Sequence, residues 1–103
     1  MKHIILFPKV GAFAENKDVA RDIRIKEMIP VLKKNEDIIL DFEGINGATQ
    51  SFIHALISDV IRKFGSDVLD HIRFKSCNDT VQKIIGIVVD YMQEGVGSEF
   101  DTE

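Results

Sequence analysis

The chain of 103 residues contains one cysteine, Cys77, and therefore cannot form an internal disulfide bond. Its stability must come from a hydrophobic core alone, which is compatible with a reducing compartment. The chain also lacks any apolar stretch near the roughly 20 residues that cross a bilayer, and the apolar run at its start is too short for a secretory signal. We therefore predict a cytoplasmic protein that does not enter a membrane.

Positive charge is neither abundant nor clustered. The formal net charge is -4, and Lys and Arg are scattered over every segment rather than gathered into the basic patch that binds a phosphate backbone. His3, His54 and His71 are far apart in sequence and have no paired ligand spacing. These observations argue against a nucleic acid partner and a metal site, and no feature indicates a cofactor.

The remaining composition is that of a folded domain. Hydrophobic residues make up 45% and charged residues 29% of the chain, which is typical of globular proteins and unlike disordered, collagen-like or coiled-coil sequences. The length fits one domain with one core. We predict a single domain over residues 1–94 and a flexible tail over residues 95–103, where periodicity is lost.

Three short segments have the patterns of β-strands. The runs HIILF (3–7) and DIILDF (37–42) are nearly continuous in apolar residues, which predicts strands buried on both faces at the centre of a sheet. HIRFKS (71–76) alternates apolar and basic residues, which predicts an edge strand with one wet face. A further short strand within KVGAF (9–13) is an open alternative.

The first predicted helix spans residues 17–34. Asn16 is a suitable N-cap, and apolar residues recur behind it at helical spacing. Pro30 falls inside this pattern, where its ring clashes with the preceding turn and its nitrogen has no hydrogen to donate. We therefore expect either a kink or a break at Ile29 with a last turn that restarts at Pro30.

Two more helices follow, over residues 50–64 and 78–93. The first has a wide apolar stripe and ends before Gly65, which fits the residue after a helix end, and the second begins after Asn78, a suitable cap. Strands and helices therefore alternate along the chain. This order predicts an α/β fold with a small, mostly parallel sheet packed against helices through right-handed crossovers.

Polar residues crowd the joint between the second strand and the second helix. Asp41 and Glu43 could form an acid/base pair at the carboxyl end of a parallel strand, but an Asp that ends a strand more often fixes the next loop. Thr49 and Ser51 fit helix N-caps and also fit phosphorylation sites. No nucleophile stands beside a base, so we predict a protein without enzymatic activity.

Most of the chain resembles the STAS-like domain family of unknown function, a small bacterial family distantly related to the STAS domains of anti-sigma factor antagonists. The resemblance is most specific where a strand ending in LDFEG leads through a turn into a helix opening on QSF. The segments that carry it are GAFAENKDVARDIR (11–24), IILDFEGINGATQSFIHALI (38–57) and IRFKSCNDTVQKII (72–85).

The resemblance implies a STAS-like fold and a regulatory role. In the related anti-sigma factor antagonists, the corresponding joint carries an Asp-Ser pair, and its hydroxyl is phosphorylated by a partner kinase related to the histidine-kinase ATPases, the GHKL type. By resemblance Ser51 is the acceptor and Thr49 the second candidate. Gln50 stands where those regulators have aspartate. Phosphorylation there controls binding, which is known as partner switching.

We therefore predict a non-enzymatic regulatory module that binds a protein partner through the loop and helix around residues 43–57. Arg21 and Arg24, one turn inside the first helix, would favour an acidic partner or an anionic ligand. The predicted binding residues are Gly11, Asn16, Arg21, Asp41, Glu43, Gln50, Ser51 and His54.

Two other functions stay open from the sequence. One is a sensor of a small anionic ligand or nucleotide, or an enzyme, with a pocket at the carboxyl ends of the first two strands lined by Gly11, Asn16, Asp41 and Ser51. The other is a subunit that forms a homo-oligomer through the 71–75 strand edge or an apolar helix face.

Overall fold

The computed structural model describes residues 1–97, with side chains through Met92. This part of the chain contains five strands, and helical segments separate them except between the third and the fourth, which a loop connects. The elements in chain order are β1 (Lys2–Ile5), α1 (Phe7–Val10), β2 (Phe13–Ala14), α2 (Lys17–Ile23), a π turn (Arg24–Met28), α3 (Ile29–Leu32), β3 (Ile38–Asp41), β4 (Gly47–Ala48), α4 (Gln50–Phe64), a 3-10 segment (Ser66–His71), β5 (Ile72–Lys75) and α5 (Asp79–Gly97).

The predicted α/β class with parallel pairing is confirmed. A three-stranded sheet has the order β1-β3-β5, and both pairs in it are parallel. Leu40 of β3 lies between Ile4 of β1 and Phe74 of β5 in the register. The predicted strands therefore exist, with each end within two residues of the expected bound.

One of the two strands predicted for the centre of the sheet is at its edge. β3 is central, and its Ile38 and Leu40 are fully buried. β1 is an edge strand in which Ile4 is buried while the next residue, Ile5, is 51% exposed, so the expectation that residues 3–7 are buried on both faces is wrong. The outward side chains of β1 face solvent, and an apolar run alone does not show whether one or both faces of a strand are buried.

The start of α1 shortens the first strand. The chain leaves β1 after Ile5 and forms one helical turn over Phe7–Val10, with Pro8 in its first turn. Proline suits this place because its fixed φ matches a helix start and the missing N–H has no helical partner there. The predicted strand end at residue 7 is therefore two residues too late.

Pro30 is accommodated by a widened turn. The N–H of Ile29 bonds to the carbonyl of Arg24, five residues back, and the segment Arg24–Met28 is a π turn between α2 and α3. Such a turn moves the carbonyls that the proline ring would otherwise meet, so helical structure continues to Leu32. The predicted disturbance at Ile29 thus takes the form of a π turn, and the helix ends short of residue 34.

α4 forms the centre of the core. Its bounds agree with the predicted residues 50–64, and it packs against both α2 and α5. Gly65 ends it with a φ of 89° and donates its N–H to the Ile61 carbonyl. The fully or nearly fully buried apolar residues of this helix are Phe52, Ile53, Leu56, Ile57, Val60 and Ile61.

α5 extends past its predicted end at residue 93 and continues to Gly97. Asn78 caps its start as expected, with its side-chain oxygen accepting from the Val81 N–H at 2.9 Å. Residues 95–97 of the predicted tail thus belong to a helix, and the rest of that tail lies outside the described residues. Within residues 1–97, no helix combines the length and apolar character that spanning a bilayer requires.

Candidate functional site

A short pair of parallel strands sets the starts of α2 and α4 side by side. β2 and β4 contribute two residues each, and hydrogen bonds continue on both sides of them. The Asn46 N–H bonds to the Ala12 carbonyl at 2.6 Å, and the Thr49 N–H bonds to the Ala14 carbonyl at 2.9 Å. Because α2 follows β2 and α4 follows β4, both helices begin at the same edge of the domain.

Each of these helices has a side-chain cap. Asn16 Oδ1 accepts from the N–H groups of Asp18 and Val19, at 2.9 and 3.4 Å. Thr49 Oγ1 accepts from the Phe52 N–H at 3.1 Å, so its hydroxyl is engaged in holding the start of α4. The structural interpretation of Thr49 is therefore supported by a direct contact.

Ser51 occupies a different environment. It lies in the first turn of α4, one residue after the helix start, and it is exposed. It lines a cleft of about 450 Å³ between the starts of the two helices. The other lining residues are Lys17, Gln50, His54 and Ala55.

The cleft continues along α2 and α4 into a second part of about 250 Å³, which shares Lys17, His54 and Ala55 with the first. We call the two parts together the α2–α4 cleft. Its remaining lining residues are Asp18, Arg21, Arg24, Ser58, Asp59 and Arg62.

Arg24 forms the floor of the second part and is almost completely buried. Its Nη1 donates to the Ala55 carbonyl at 2.6 Å and lies 3.2 Å from Asp59 Oδ2. Arg62 Nη1 meets the other Asp59 oxygen at 2.9 Å, so one carboxylate serves two guanidinium groups. The Arg24 Nε is buried and has no hydrogen-bond partner among the described residues.

His54 connects the cleft to α5. The imidazole is half-buried, and its Nδ1 lies 3.3 Å from the hydroxyl of Ser58, one turn later on α4. Its ring centroid is 6.3 Å from that of Tyr91, with the planes tilted by 53°. His54 is thus held between its own helix and the exposed Tyr91 ring.

Asp41 lies at the end of β3 and fixes the loop that follows. Its Oδ1 accepts from the Glu43 N–H at 2.9 Å, and its Oδ2 lies 2.7 Å from His3 Nε2. The Glu43 N–H, and to a smaller extent the His3 side chain, hold the pKa of the buried Asp41 carboxyl below its usual range, against the opposing effect of burial. This geometry agrees with the interpretation of Asp41 as a loop-fixing acceptor.

A more apolar groove of about 610 Å³ lies between β5 and the first half of α5, and Cys77 lines it. Burial, and next the charge of Asp41, raise the pKa of the Cys77 thiol to about 11. The thiol is therefore protonated at neutral pH, which agrees with a packing role. The other lining residues are Phe74, Ser76, Gln82, Ile85, Gly86 and Val89.

A comparison with known protein families matches residues 21–82 to the STAS-like domain of unknown function (DUF4325). The chain belongs to this family. The match covers well over half of the chain and confirms the resemblance seen in the sequence. Comparison with curated proteins and with solved structures gives no match.

Within this STAS-like domain, the predicted site residues divide into two groups. Arg21, Gln50, Ser51 and His54 all line the α2–α4 cleft, and Asn16 caps the helix that forms one wall of it. Gly11, Asp41 and Glu43 do not line it. The structure therefore does not bring together the four residues of the predicted pocket, because only Ser51 among them lines the cleft.

Several residues of the cleft were missed in the sequence, namely Lys17, Ser58, Asp59 and Arg62. A local signal for part of this set exists, since Asp59 and Arg62 are three residues apart and share one helix face. Their position opposite Arg24 depends on how α2 packs on α4, which no short sequence motif encodes.

Proposed function

We propose that this STAS-like domain is a non-enzymatic regulatory module that binds a protein partner at the α2–α4 cleft and is switched by phosphorylation of Ser51. The observation that carries the proposal is that the two hydroxyls near the start of α4 have different environments. Thr49 is engaged in capping α4, whereas Ser51 is exposed in the cleft beside Lys17 and His54. Thr49 is the second candidate acceptor.

The kinase we propose is an ATPase of the GHKL type. In the reaction a bond forms between Ser51 Oγ and the γ-phosphorus of ATP, the bond from that phosphorus to the bridging oxygen breaks, and ADP leaves with the electron pair. The hydroxyl proton passes to a base of the kinase. Nothing in this step asks the domain itself for more than an accessible hydroxyl, which fits a non-enzymatic role.

The charge of the cleft favours an acidic partner surface. Lys17, Arg21 and the arginine pair around Asp59 present cationic groups between the two helices. A phosphate on Ser51 would add up to two negative charges at this place. It would therefore weaken the attraction between the cleft and acidic side chains, and phosphorylation would release the partner.

The proposal is tested by incubation with ATP and a candidate GHKL-type kinase, followed by phosphosite mapping with mass spectrometry. We expect one phosphate on Ser51, its loss in Ser51→Ala, and normal labelling in Ser66→Ala, since Ser66 is an exposed serine at the start of another helical segment. Binding of the partner should weaken on phosphorylation. A protein that forms no complex and carries no phosphate on Ser51 or Thr49 would refute the proposal.

The cationic cleft also supports a second candidate, a sensor of a small anionic ligand or nucleotide. A cleft part of about 450 Å³ lies next to Lys17 and Arg21 of α2, and the phosphate groups of a small ligand would fit such a cationic site. A thermal-shift series with nucleotides separates the two functions, because a ligand at one hundred times its Kd stabilises the fold by about 2.7 kcal/mol. Absence of a shift with every nucleotide favours the protein-binding function.

A further inference from the structure

The α2–α4 cleft has a charge opposite in sign to that of the whole protein. Four cationic side chains and two carboxylates line it, while the formal net charge of the chain is -4. The cleft is therefore a local cationic site on an acidic domain. Its charged lining residues are Lys17, Asp18, Arg21, Arg24, Asp59 and Arg62.

The cations of the cleft are only partly satisfied by the protein. Arg24 and Arg62 share the single carboxylate of Asp59, and Lys17 and Arg21 form no ion pair within the described residues. Arg24 is 8% exposed, yet its Nε has no partner in that part of the chain. The Arg24 Nε is closed off from solvent, so, of the described residues, the exposed Lys17 and Arg21 offer unpaired positive charge to an anion in the cleft.

We infer that the α2–α4 cleft is the binding site for the phosphoryl group once it is attached to Ser51, with Lys17 and Arg21 as its ligands. This inference rests on the proposed role of Ser51 as phosphoacceptor. It assigns to α2 a function in regulation, since the modified residue is on α4 and the cations that hold the phosphate are on the neighbouring helix.

Three features of the site support this assignment. Ser51 and Lys17 line the same part of the cleft, and Arg21 lies one turn further along α2. Lysine and arginine are the usual protein ligands of phosphate, with arginine able to present two N–H groups to it. The residue before Ser51 is the neutral Gln50, so the preceding position adds no negative charge beside the phosphate.

The consequence is a phosphate that joins α2 to α4 and neutralises the cleft. The negative charge of Asp18 opposes phosphate binding. Asp18 is, however, the only carboxylate in the first turn of α2, and a helix start tolerates negative charge. An acidic segment of a partner would compete with this phosphate for Lys17 and Arg21. Release of the partner would then follow from occupation of the same ligands rather than from a change of fold.

The test uses the full chain with phosphoserine incorporated at position 51 during translation, so that no kinase is needed. Phosphorus NMR measures the second pKa of the phosphate, which is about 6 for an unpaired phosphoserine. We expect a value below this in the unaltered chain and a rise towards about 6 in Lys17→Ala and in Arg21→Ala. The control Lys63→Ala removes an exposed cation of α4 that does not line the cleft and should leave the pKa unchanged.

Neighbouring groups that titrate are controlled in the same experiment. His54 lines the cleft with its ring beside that of Tyr91, and imidazoles as a class ionise near the same pH as phosphoserine, so the titration is repeated in His54→Gln. The rise caused by Lys17→Ala should persist there. Circular dichroism of each variant verifies that the helices are intact.

The outcomes separate this inference from the proposed function. If the phosphate has the same pKa in the unaltered chain and in both α2 variants, the cleft does not hold it, and the inference is overturned whether or not a kinase modifies Ser51. If Lys17 and Arg21 do lower the pKa but the candidate kinase forms no complex with the protein and labels neither Ser51 nor Thr49, the proposed function fails alone. Binding of ATP to the unmodified protein more tightly than inorganic phosphate, and its loss in Lys17→Ala, would assign the cleft to a nucleotide and also overturn the inference.

Discussion

Arg24 and Ala55 connect two helices directly, because Arg24 Nη1 donates to the backbone carbonyl oxygen of Ala55 over 2.6 Å. The same nitrogen lies 3.2 Å from Asp59 Oδ2, so a single side chain contacts both a main-chain and a side-chain acceptor of α4. Arg24 belongs to the π turn that accommodates Pro30. The π turn between α2 and α3 thus carries the residue that forms the floor of the candidate site.

Arg24→Ala should destabilise the protein. The change removes a charged hydrogen bond and leaves Asp59 with one guanidinium partner, which should lower the free energy of unfolding by about 2 kcal/mol. Urea denaturation measures this change. Arg73→Ala, which removes an exposed arginine of β5, serves as the control and should stay within about 0.5 kcal/mol of the unaltered protein. Equal stability of the two variants would mean that the contact contributes nothing measurable.

Thr49 and Ser51 should differ in stability as well as in modification. Thr49→Ala removes the hydroxyl that caps α4 and should cost about 1 kcal/mol. Ser51→Ala removes an exposed hydroxyl and should change the free energy of unfolding by less than about 0.5 kcal/mol. Thermal or urea unfolding of both variants tests the difference. A larger loss for Ser51→Ala would show that Ser51 has a structural role and weaken its assignment as acceptor.

The elements that sequence analysis predicted well are those with strong local patterns. α4 combines a wide apolar stripe with a glycine at its end, and its bounds were predicted as residues 50–64. β2 and β4 were not predicted as a pair, because two residues at each of two distant places carry no periodicity. The apolar pattern of β1 also could not show which of its faces is covered. The exposure of Ile5 was therefore not predicted.

The same distinction applies to the candidate site. Ser51, Gln50 and His54 belong to one helix start, so the sequence could group them. Lys17 and Arg62 join them only because the β2–β4 pair and the packing of α2 on α4 bring distant segments together. Asp41 is the opposite case. It is close to Ser51 in sequence, but it contacts His3 and the Glu43 N–H and does not line the cleft.

Three glycines should respond differently to alanine. Gly44 has a φ of 88°, and an added Cβ would approach the Phe7 ring to 2.9 Å, whereas Gly65 has a φ of 89° with open space around it. Gly65 also has a ψ of 169°, a backbone conformation that is essentially restricted to glycine, so Gly65→Ala should cost about 2 kcal/mol of backbone strain, and Gly44→Ala should cost more. Gly86→Ala, in an open helical position of α5, should stabilise by about 0.5 kcal/mol. Urea midpoints test this order, and equal losses at Gly44 and Gly65 would contradict the steric contribution of Phe7.

Cys77 should react slowly with alkylating reagents while the protein is folded. The thiolate is the reactive form, and the pKa of about 11 in the folded protein is two pH units above the ordinary value of 9.0. At pH 8 we expect alkylation by iodoacetamide to be roughly 100-fold slower than in the urea-unfolded chain. Mass spectrometry measures both rates, with Cys77→Ser as the blank. Similar rates in the two states would show that folding does not raise the pKa of the Cys77 thiol.

Asp41 should make the stability of the protein depend on pH in the acid range. Its pKa is lowered from 3.8 in the folded state, so the unfolded chain binds this proton more readily than the folded chain does. The contribution of Asp41 to stability is therefore complete above about pH 5 and is lost as the pH falls past the unfolded value of 3.8 and through the lower pKa of the folded state.

Asp41→Asn tests this dependence by removing the ionisable group. The variant should be less stable than the unaltered protein at pH 6, because a neutral amide is a weaker acceptor for the Glu43 N–H and for His3. The difference in the free energy of unfolding should shrink as the pH is lowered to 3. Asp90→Asn, which changes an exposed carboxylate of α5, should show no such convergence. A difference that stays constant between pH 6 and pH 3 would mean that Asp41 does not favour folding through its charge.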